Sequence, residues 1–305
     1  MIVSVLTPIF AIIFLGFLIS RSPVSSQAAW AELERLTYYI FFPALLLVRL
    51  SDSNFDWEDV VDISKVIGTA LFVITLLIFS LEKFVIGDSA SVSSIYQGSI
   101  RFNTFIGLAC IDLLYGDSGL ITAALCLALY IPLVNVLCVV ALTGGGEGGT
   151  KRISRVINSV VSNPLVLACM AGITVSYSGF TIPPLAESVL DILSQPALPI
   201  GLLAVGAGIR FVALGEQSWQ MLVALVNKLA LVPGLVLAAC LLFETPNSIA
   251  VTLLLLSVLP APPSAYILAR QLGGNESLMA NIITAQTLAA FFVIPIWIEV
   301  ANRYL

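Results

Sequence analysis

Apolar runs of about twenty residues alternate with short polar breaks from Ile2 to the end of the chain. A helix needs ~20 apolar residues to cross the ~30 Å hydrocarbon layer of a bilayer. The pattern predicts ten such spans, at roughly 2–20, 34–50, 63–86, 95–114, 119–142, 158–177, 187–209, 219–243, 247–271 and 277–301. The first has no basic flank and no small-residue cleavage site, so it is read as a retained span. The one long polar connection, Thr143–Arg155, is rich in glycine and basic at its end. It divides the chain into a five-span half at 1–142, a cytoplasmic linker at 143–157 and a second five-span half at 158–305.

The ninth span carries an interruption. Leu253–Gly274 is apolar enough for a membrane, yet holds Pro260, Pro262 and Pro263 in its middle. Proline lacks an N–H and clashes with the preceding turn, so a helix must break there. In hydrocarbon a broken backbone is tolerated only where protein or a water-filled cavity satisfies the freed groups. Such a break is a pointer to a transporter's binding site. Small or polar Ala261 and Ser264 leave room for a ligand to approach the backbone.

The two halves correspond. Thr7-Pro8 matches Asn163-Pro164, and Pro43-Ala44-Leu45 matches Pro196-Ala197-Leu198. Gly116–Leu120 matches Gly274–Leu278, and Pro132 matches Pro295, all at offsets of about 153–163 residues. Five is odd, so a second copy enters the membrane from the opposite face. The expected fold is all-α and polytopic: ten transmembrane helices as two inverted five-helix repeats. Arg21, Arg35, Lys83, Lys151, Arg152, Arg155, Arg210 and Arg270 fall on one side, against Arg49, Lys65 and Arg303 on the other. The positive-inside rule then places both termini outside.

If the ninth span is broken, its mate should be too. The fourth span reads QGSIRFNTFIGLACID at Gln97–Asp112, without proline but with Gly98, Arg101, Asn103 and Thr104. Crossing breaks in spans four and nine would aim half-helix N-termini, partly positive, at one point. That suits a carboxylate, with Arg101 as a planar partner. The same arginine also lies near the inner end of its span, where it could snorkel to the surface. Asn103 reads either as a ligand for substrate or as an amide joining helices. Gln286, with Asn281 and Thr284, lines a cavity or joins helices. Lys228 and Asp112 are the candidates for ion or proton coupling. Lys228 pairs with Asp112 or Asp191 or snorkels, and Asp112 is a proton carrier if buried and an interfacial carboxylate if not.

Composition agrees and excludes. Only 10% of residues are charged and mean hydropathy is +1.05, against about 25% charged in soluble domains. The net charge of −5 comes with no basic tract, which argues against nucleic acid. There is no histidine, and the five cysteines sit in apolar runs without metal spacing, so no metal or cofactor is expected. No catalytic motif and no phosphate-binding loop appears, so neither an enzyme nor an ATP-driven pump is expected.

The run Arg101–Ala109 (RFNTFIGLA) followed by Tyr115-Gly116 resembles the span-four signature of the auxin efflux carrier family, which includes plant auxin carriers and bacterial malonate-type permeases. Asn163-Pro164, Leu259-Pro260 through Ala269-Arg270, and Gly273-Gly274 are similar to the same family, so the resemblance covers nearly the whole chain. It implies a scaffold and a transport domain, crossing helices in spans four and nine, elevator-like movement, a homodimer and an organic anion substrate. Asn103 would contact that substrate and Pro260 would form the crossing. Phe102 stands where the plant carriers have proline. The short linker looks like that of a bacterial member in the inner membrane.

The expected function is secondary transport of a small organic anion, a mono- or dicarboxylate or an auxin-like acid. The expected site comprises Arg101, Asn103, Thr104, Pro260, Ala261, Pro262, Pro263, Ser264 and Gln286, with H⁺ or Na⁺ as a coupling ion. The alternatives are a sodium-coupled symporter of the bile-acid type, which resembles this fold, and a non-transporting membrane sensor.

Overall fold

The apolar runs are helical throughout a computed structural model that describes residues 2–23, 25–51, 53, 56–85, 88–143, 162–211 and 217–305. The predicted linker at 143–157, with Lys151, Arg152 and Arg155, lies outside the described residues apart from Thr143. No strand occurs among the described residues. The helices are α1 (Ile2–Ser20), α2 (Gln27–Leu36), α3 (Phe42–Ser51), α4 (Trp57–Val85), α5 (Ser89–Ile100), α6 (Thr104–Thr143) and α7 (Pro164–Ser178). There follow α8 (Pro184–Ser194), α9 (Ala197–Ala207), α10 (Ser218–Val226), α11 (Val232–Leu242), α12 (Asn247–Val258), α13 (Ser264–Leu272) and α14 (Glu276–Tyr304).

Six helical segments among the described residues are long and apolar enough to cross a bilayer: Val3–Ser20, Trp57–Ser80, Ser89–Ala141, Pro184–Ala207, Ser218–Leu242 and Glu276–Tyr304. Pro164–Ser178 and Asn247–Val258 are shorter apolar helices. Phe14, Phe72, Leu185, Ile192, Leu242 and Phe292 face outward. Large apolar side chains on the outside of so apolar a chain are those of a polytopic membrane protein, with lipid as their solvent.

Prolines set the irregularities. Two wide, π-type turns, Thr37–Phe41 and Asn227–Leu231, each end two residues before a proline, Pro43 and Pro233. A proline ring clashes with the carbonyl four residues back. Those carbonyls belong to Tyr39 and Leu229, at the centre of each wide turn. Pro233 has no N–H to offer Leu229, and the indole N–H of Trp297 donates to that carbonyl instead, at 2.8 Å.

The chain divides into two compact units, each assembled from distant stretches. The first comprises Met1–Val60, Phe105–Pro132 and Val160–Gly208. In it α1 lies against α9, and α3 against α7 and α8. Glycines allow the close approach: a Cβ on Gly172 would meet the Leu50 side chain at 2.6 Å. Gly201 faces the stacked rings of Phe42 and Phe105, whose centroids are 4.7 Å apart. Arg49 pairs with Asp117 at 2.9 Å. Asn163 caps α7, accepting from the N–H groups of Leu165 (3.0 Å) and Val166 (3.4 Å), with Pro164 in the first turn, where no N–H is needed. Asn163→Ala is expected to cost about 1 kcal/mol, read as an earlier thermal midpoint.

The second unit comprises Val61–Thr104, Leu133–Ser159 and Ile209–Leu305. Its centre is α5, buried at every position from Ser91 to Ile100 although six of those ten residues are serine, glutamine or glycine. Small side chains let α10 and α14 close on it. A Cβ on Gly98 would sit 2.8 Å from the Ile282 methyl. Tyr96 and Thr75 share a 2.8 Å hydroxyl bond. Asn275, which caps α14, also bonds Ser91 and Ser94 of α5.

Candidate functional site

Two helices of twelve residues, α5 and α12, end abruptly in the second unit. Each is about 18 Å long, too short to cross the hydrocarbon alone. After α5 the backbone is non-helical over 101–103, then helix resumes at Thr104. After α12 it is non-helical or turned over 259–263, then resumes at Ser264. The break after α12 is the one the prolines force: Pro260, Pro262 and Pro263 all fall within it. The break after α5 contains no proline and is held differently. The Asn103 N–H donates to the Pro260 carbonyl at 2.7 Å, so each interruption satisfies the other. One guanidinium nitrogen of Arg101 donates to the Ser264 hydroxyl at 3.2 Å, a second tie between the breaks.

Gln286 of α14 is the joint of this region. It is fully enclosed. Its Oε1 accepts from the Ala261 N–H at 2.9 Å, and its Nε2 donates to the carbonyls of Gly98 (3.0 Å) and Ala224 (3.2 Å). One amide thereby joins the break after α12 to α5 and α10. The nearby Thr284 hydroxyl accepts from the Arg210 N–H and donates to the Arg210 carbonyl.

The sequence-predicted residues are thus placed as follows. Arg101, Asn103, Thr104, Pro260, Ala261, Pro262, Pro263, Ser264 and Gln286 all lie at or against the two breaks. Asn103, Pro260 and Ala261 are buried; Arg101, Thr104, Pro262 and Pro263 are half-buried, and Ser264 is exposed. Arg101 is bonded across the breaks through Ser264. Asp112, half-buried, belongs to the other unit and is eight residues along α6 from its start. Lys228 is fully enclosed in the wide turn Asn227–Leu231, so it does not snorkel, and it makes no ion pair among the described residues. Its Nζ lies 5.9 Å from the centroid of the Phe102 ring.

Sequence reading missed Gln97. Its side chain is enclosed and neither amide atom has a hydrogen-bond partner. An unpaired amide one residue before Gly98, whose carbonyl Gln286 holds, marks polar capacity left open beside the break. The available signal was a glutamine in a membrane span four residues before Arg101.

The arrangement has a definite electrostatic character. The N-termini of α6 and α13 and the C-termini of α5 and α12 all adjoin the breaks. The N-termini carry partial positive charge and the C-termini partial negative charge. Arg101 adds positive charge, and 101–104 and 259–264 contain no acidic residue. The balance favours an anion.

Comparison with known proteins adds two likenesses. A family model described as "Sodium Bile acid symporter family" matches residues 195–305, a stretch that includes α12, its break, α13 and α14. A protein of Rhizobium meliloti (strain 1021) described as "Putative malonate transporter" is 25% identical over 302 residues, covering 94% of this chain and 92% of that protein. Both likenesses are to transporters.

Proposed function

We propose that the protein is a secondary transporter of a small organic anion, of the auxin efflux carrier type, with its site at the meeting of the two broken helices. The observation that carries the reading is the bond from Asn103 to Pro260, with Arg101 spanning to Ser264: two interrupted helices joined at one point under positive charge. A mono- or dicarboxylate fits this chemistry, through the Arg101 guanidinium and the partly positive N-terminal ends of α6 and α13. The similarity to a protein described as a malonate transporter supports the same class.

In this reading the chain forms ten membrane helices as two inverted five-helix repeats, with halves 1–142 and 158–305. Supporting it, α5 and α12 are each twelve residues long, each is followed by a break, and a positive-φ glycine follows at a short distance in both: Gly116 (φ 60°), where α6 is kinked, and Gly273 (φ 80°), where α13 ends. The site would cross the membrane by elevator movement in a homodimer of the bacterial inner membrane, with both termini outside.

Asn103→Ala and Arg101→Gln are expected to lower uptake of a labelled carboxylate into proteoliposomes by at least about tenfold, a loss of roughly 1.4 kcal/mol or more, with assembly intact. Normal uptake by both variants would refute the site. A second reading, a sodium symporter of the bile-acid type, draws on the family match at 195–305. It requires oxygen ligands for Na⁺ at the breaks. Asn103 and Thr104 carry such oxygens, whereas Gln286 has its oxygen committed to Ala261. Strict dependence of uptake on Na⁺ would establish it over the first.

A further inference from the structure

Among the described residues of the second unit, Lys228 is the one buried cation without an ion-pair or hydrogen-bond partner. Several elements pack against its turn: α5, α10, α11, α12 and α14. Of these, α10 and α12 carry no ionisable side chain. On α5 the one such group is Tyr96, bonded to Thr75. On α11 it is Cys240. On α14 there are Glu276, near Arg270, and Glu299, Arg303 and Tyr304 toward the far end. None of these makes an ion pair or hydrogen bond with Lys228.

An ammonium enclosed away from water without a counter-charge is costly. The Phe102 ring at 5.9 Å lies at the outer limit of cation–π contact and does not replace a carboxylate. Phe102 is, however, the middle residue of the break after α5, so the amine lies within 5.9 Å of the centre of a ring carried by that break. The wide turn that carries it is itself a departure from α geometry of the kind that recurs at functional sites.

We propose that Lys228 takes up one proton when an organic anion occupies the helix breaks and releases it when the anion leaves, so that each carboxylate crosses with a proton. The proposal rests on the carrier reading above. The proton comes from the water on the loading side and binds the amine nitrogen. The resulting ammonium and the carboxylate neutralise each other; on the opposite side the carboxylate leaves, the ammonium releases its proton to water, and Lys228 returns as the neutral amine. No covalent bond other than N–H forms or breaks. Na⁺ has no part in this cycle.

The test uses full-length protein in proteoliposomes with a pH-reporting dye inside and labelled malonate, succinate, lactate and an indole acid outside. Wild-type protein is expected to take up at least one of them without Na⁺, to acidify the lumen by about one proton per anion, and to tighten apparent affinity by up to about tenfold per unit fall in pH, the slope of one-proton linkage. Lys228→Met is expected to remove both the acidification and the pH slope. Lys228→Arg, permanently charged, is expected to bind anion with no pH slope and no proton movement. Folded variants that couple protons as wild type does would overturn the proposal while leaving the carrier reading intact. Wild-type uptake without proton movement would overturn it as well, whether or not the variants fold. A wild-type protein that carries none of the four acids would overturn the carrier reading and this proposal together.

Discussion

Gln286→Leu is expected to destabilise the protein by about 3 kcal/mol or more and to silence transport in whatever remains folded. Leucine fills nearly the same volume, so the effect is not a cavity. It comes from three backbone groups that lose their partner together: the Ala261 N–H and the carbonyls of Gly98 and Ala224. Each buried group left unsatisfied costs about 1–3 kcal/mol, and in a membrane interior water does not easily replace the amide. Thr287→Val, one residue along α14, is the control. That hydroxyl donates only to the Ile283 carbonyl of its own helix, and its loss should cost less than about 1 kcal/mol. All five cysteines are buried, so unfolding in detergent can be followed by their reaction with a thiol-reactive dye. A fall in midpoint on the order of 10 °C is expected for Gln286→Leu. A midpoint close to that of Thr287→Val would mean that the amide is not the joint between α5, α10 and the break after α12.

The two breaks differed in how far sequence revealed them, for a physical reason. Pro260, Pro262 and Pro263 act locally: each removes a donor and blocks a turn, so the break after α12 is written in consecutive letters. The break after α5 has only Gly98, Arg101, Asn103 and Thr104 as signals, and its stabilising partner is the Pro260 carbonyl, more than 150 residues away. No local rule reports such a bond. The wide turn at Asn227–Leu231 was hidden in the same way. Pro233 was visible, but its consequence depends on Trp297 arriving from α14 to satisfy Leu229. The opposite case is Asn163, where cap, proline and helix start are chain neighbours, a signal that needs no distant partner. Arg101 stood between a site and a snorkel to the surface, and Gln286 between lining a cavity and joining helices. In the structure Arg101 bonds Ser264 and Gln286 holds three backbone groups, which makes both of them joints at the place where a ligand would bind. Polar groups in a membrane span must be satisfied, so a site and a helix junction draw on the same residues.

Gly206→Leu is expected to be the most damaging substitution in the first unit, abolishing assembly rather than altering transport. There α1 and α9 approach backbone to backbone. A Cβ on Gly206 would stand 1.8 Å from the Ile13 carbonyl oxygen, and one on Gly16 would stand 2.1 Å from the Leu203 carbonyl oxygen. No real side chain tolerates these distances, and the obstructing atoms are backbone, which cannot rotate away. Between membrane helices the driving force is close packing, not burial from water, because lipid is as apolar as leucine. Separating the axes to admit a side chain therefore forfeits the dispersion contacts along the whole seam. Overpacking by a methyl group costs about 1–3 kcal/mol, so Gly206→Ala should lower the thermal midpoint while Gly206→Leu should leave no monodisperse protein. The reciprocal pair gives a sharper test. Because Gly16 and Gly206 relieve the same seam, helices already displaced by one alanine should accept the second more cheaply. The double variant Gly16→Ala/Gly206→Ala should then lose less than the sum of the singles. Strict additivity would mean that the two contacts yield independently, and that α1 and α9 do not move as rigid rods.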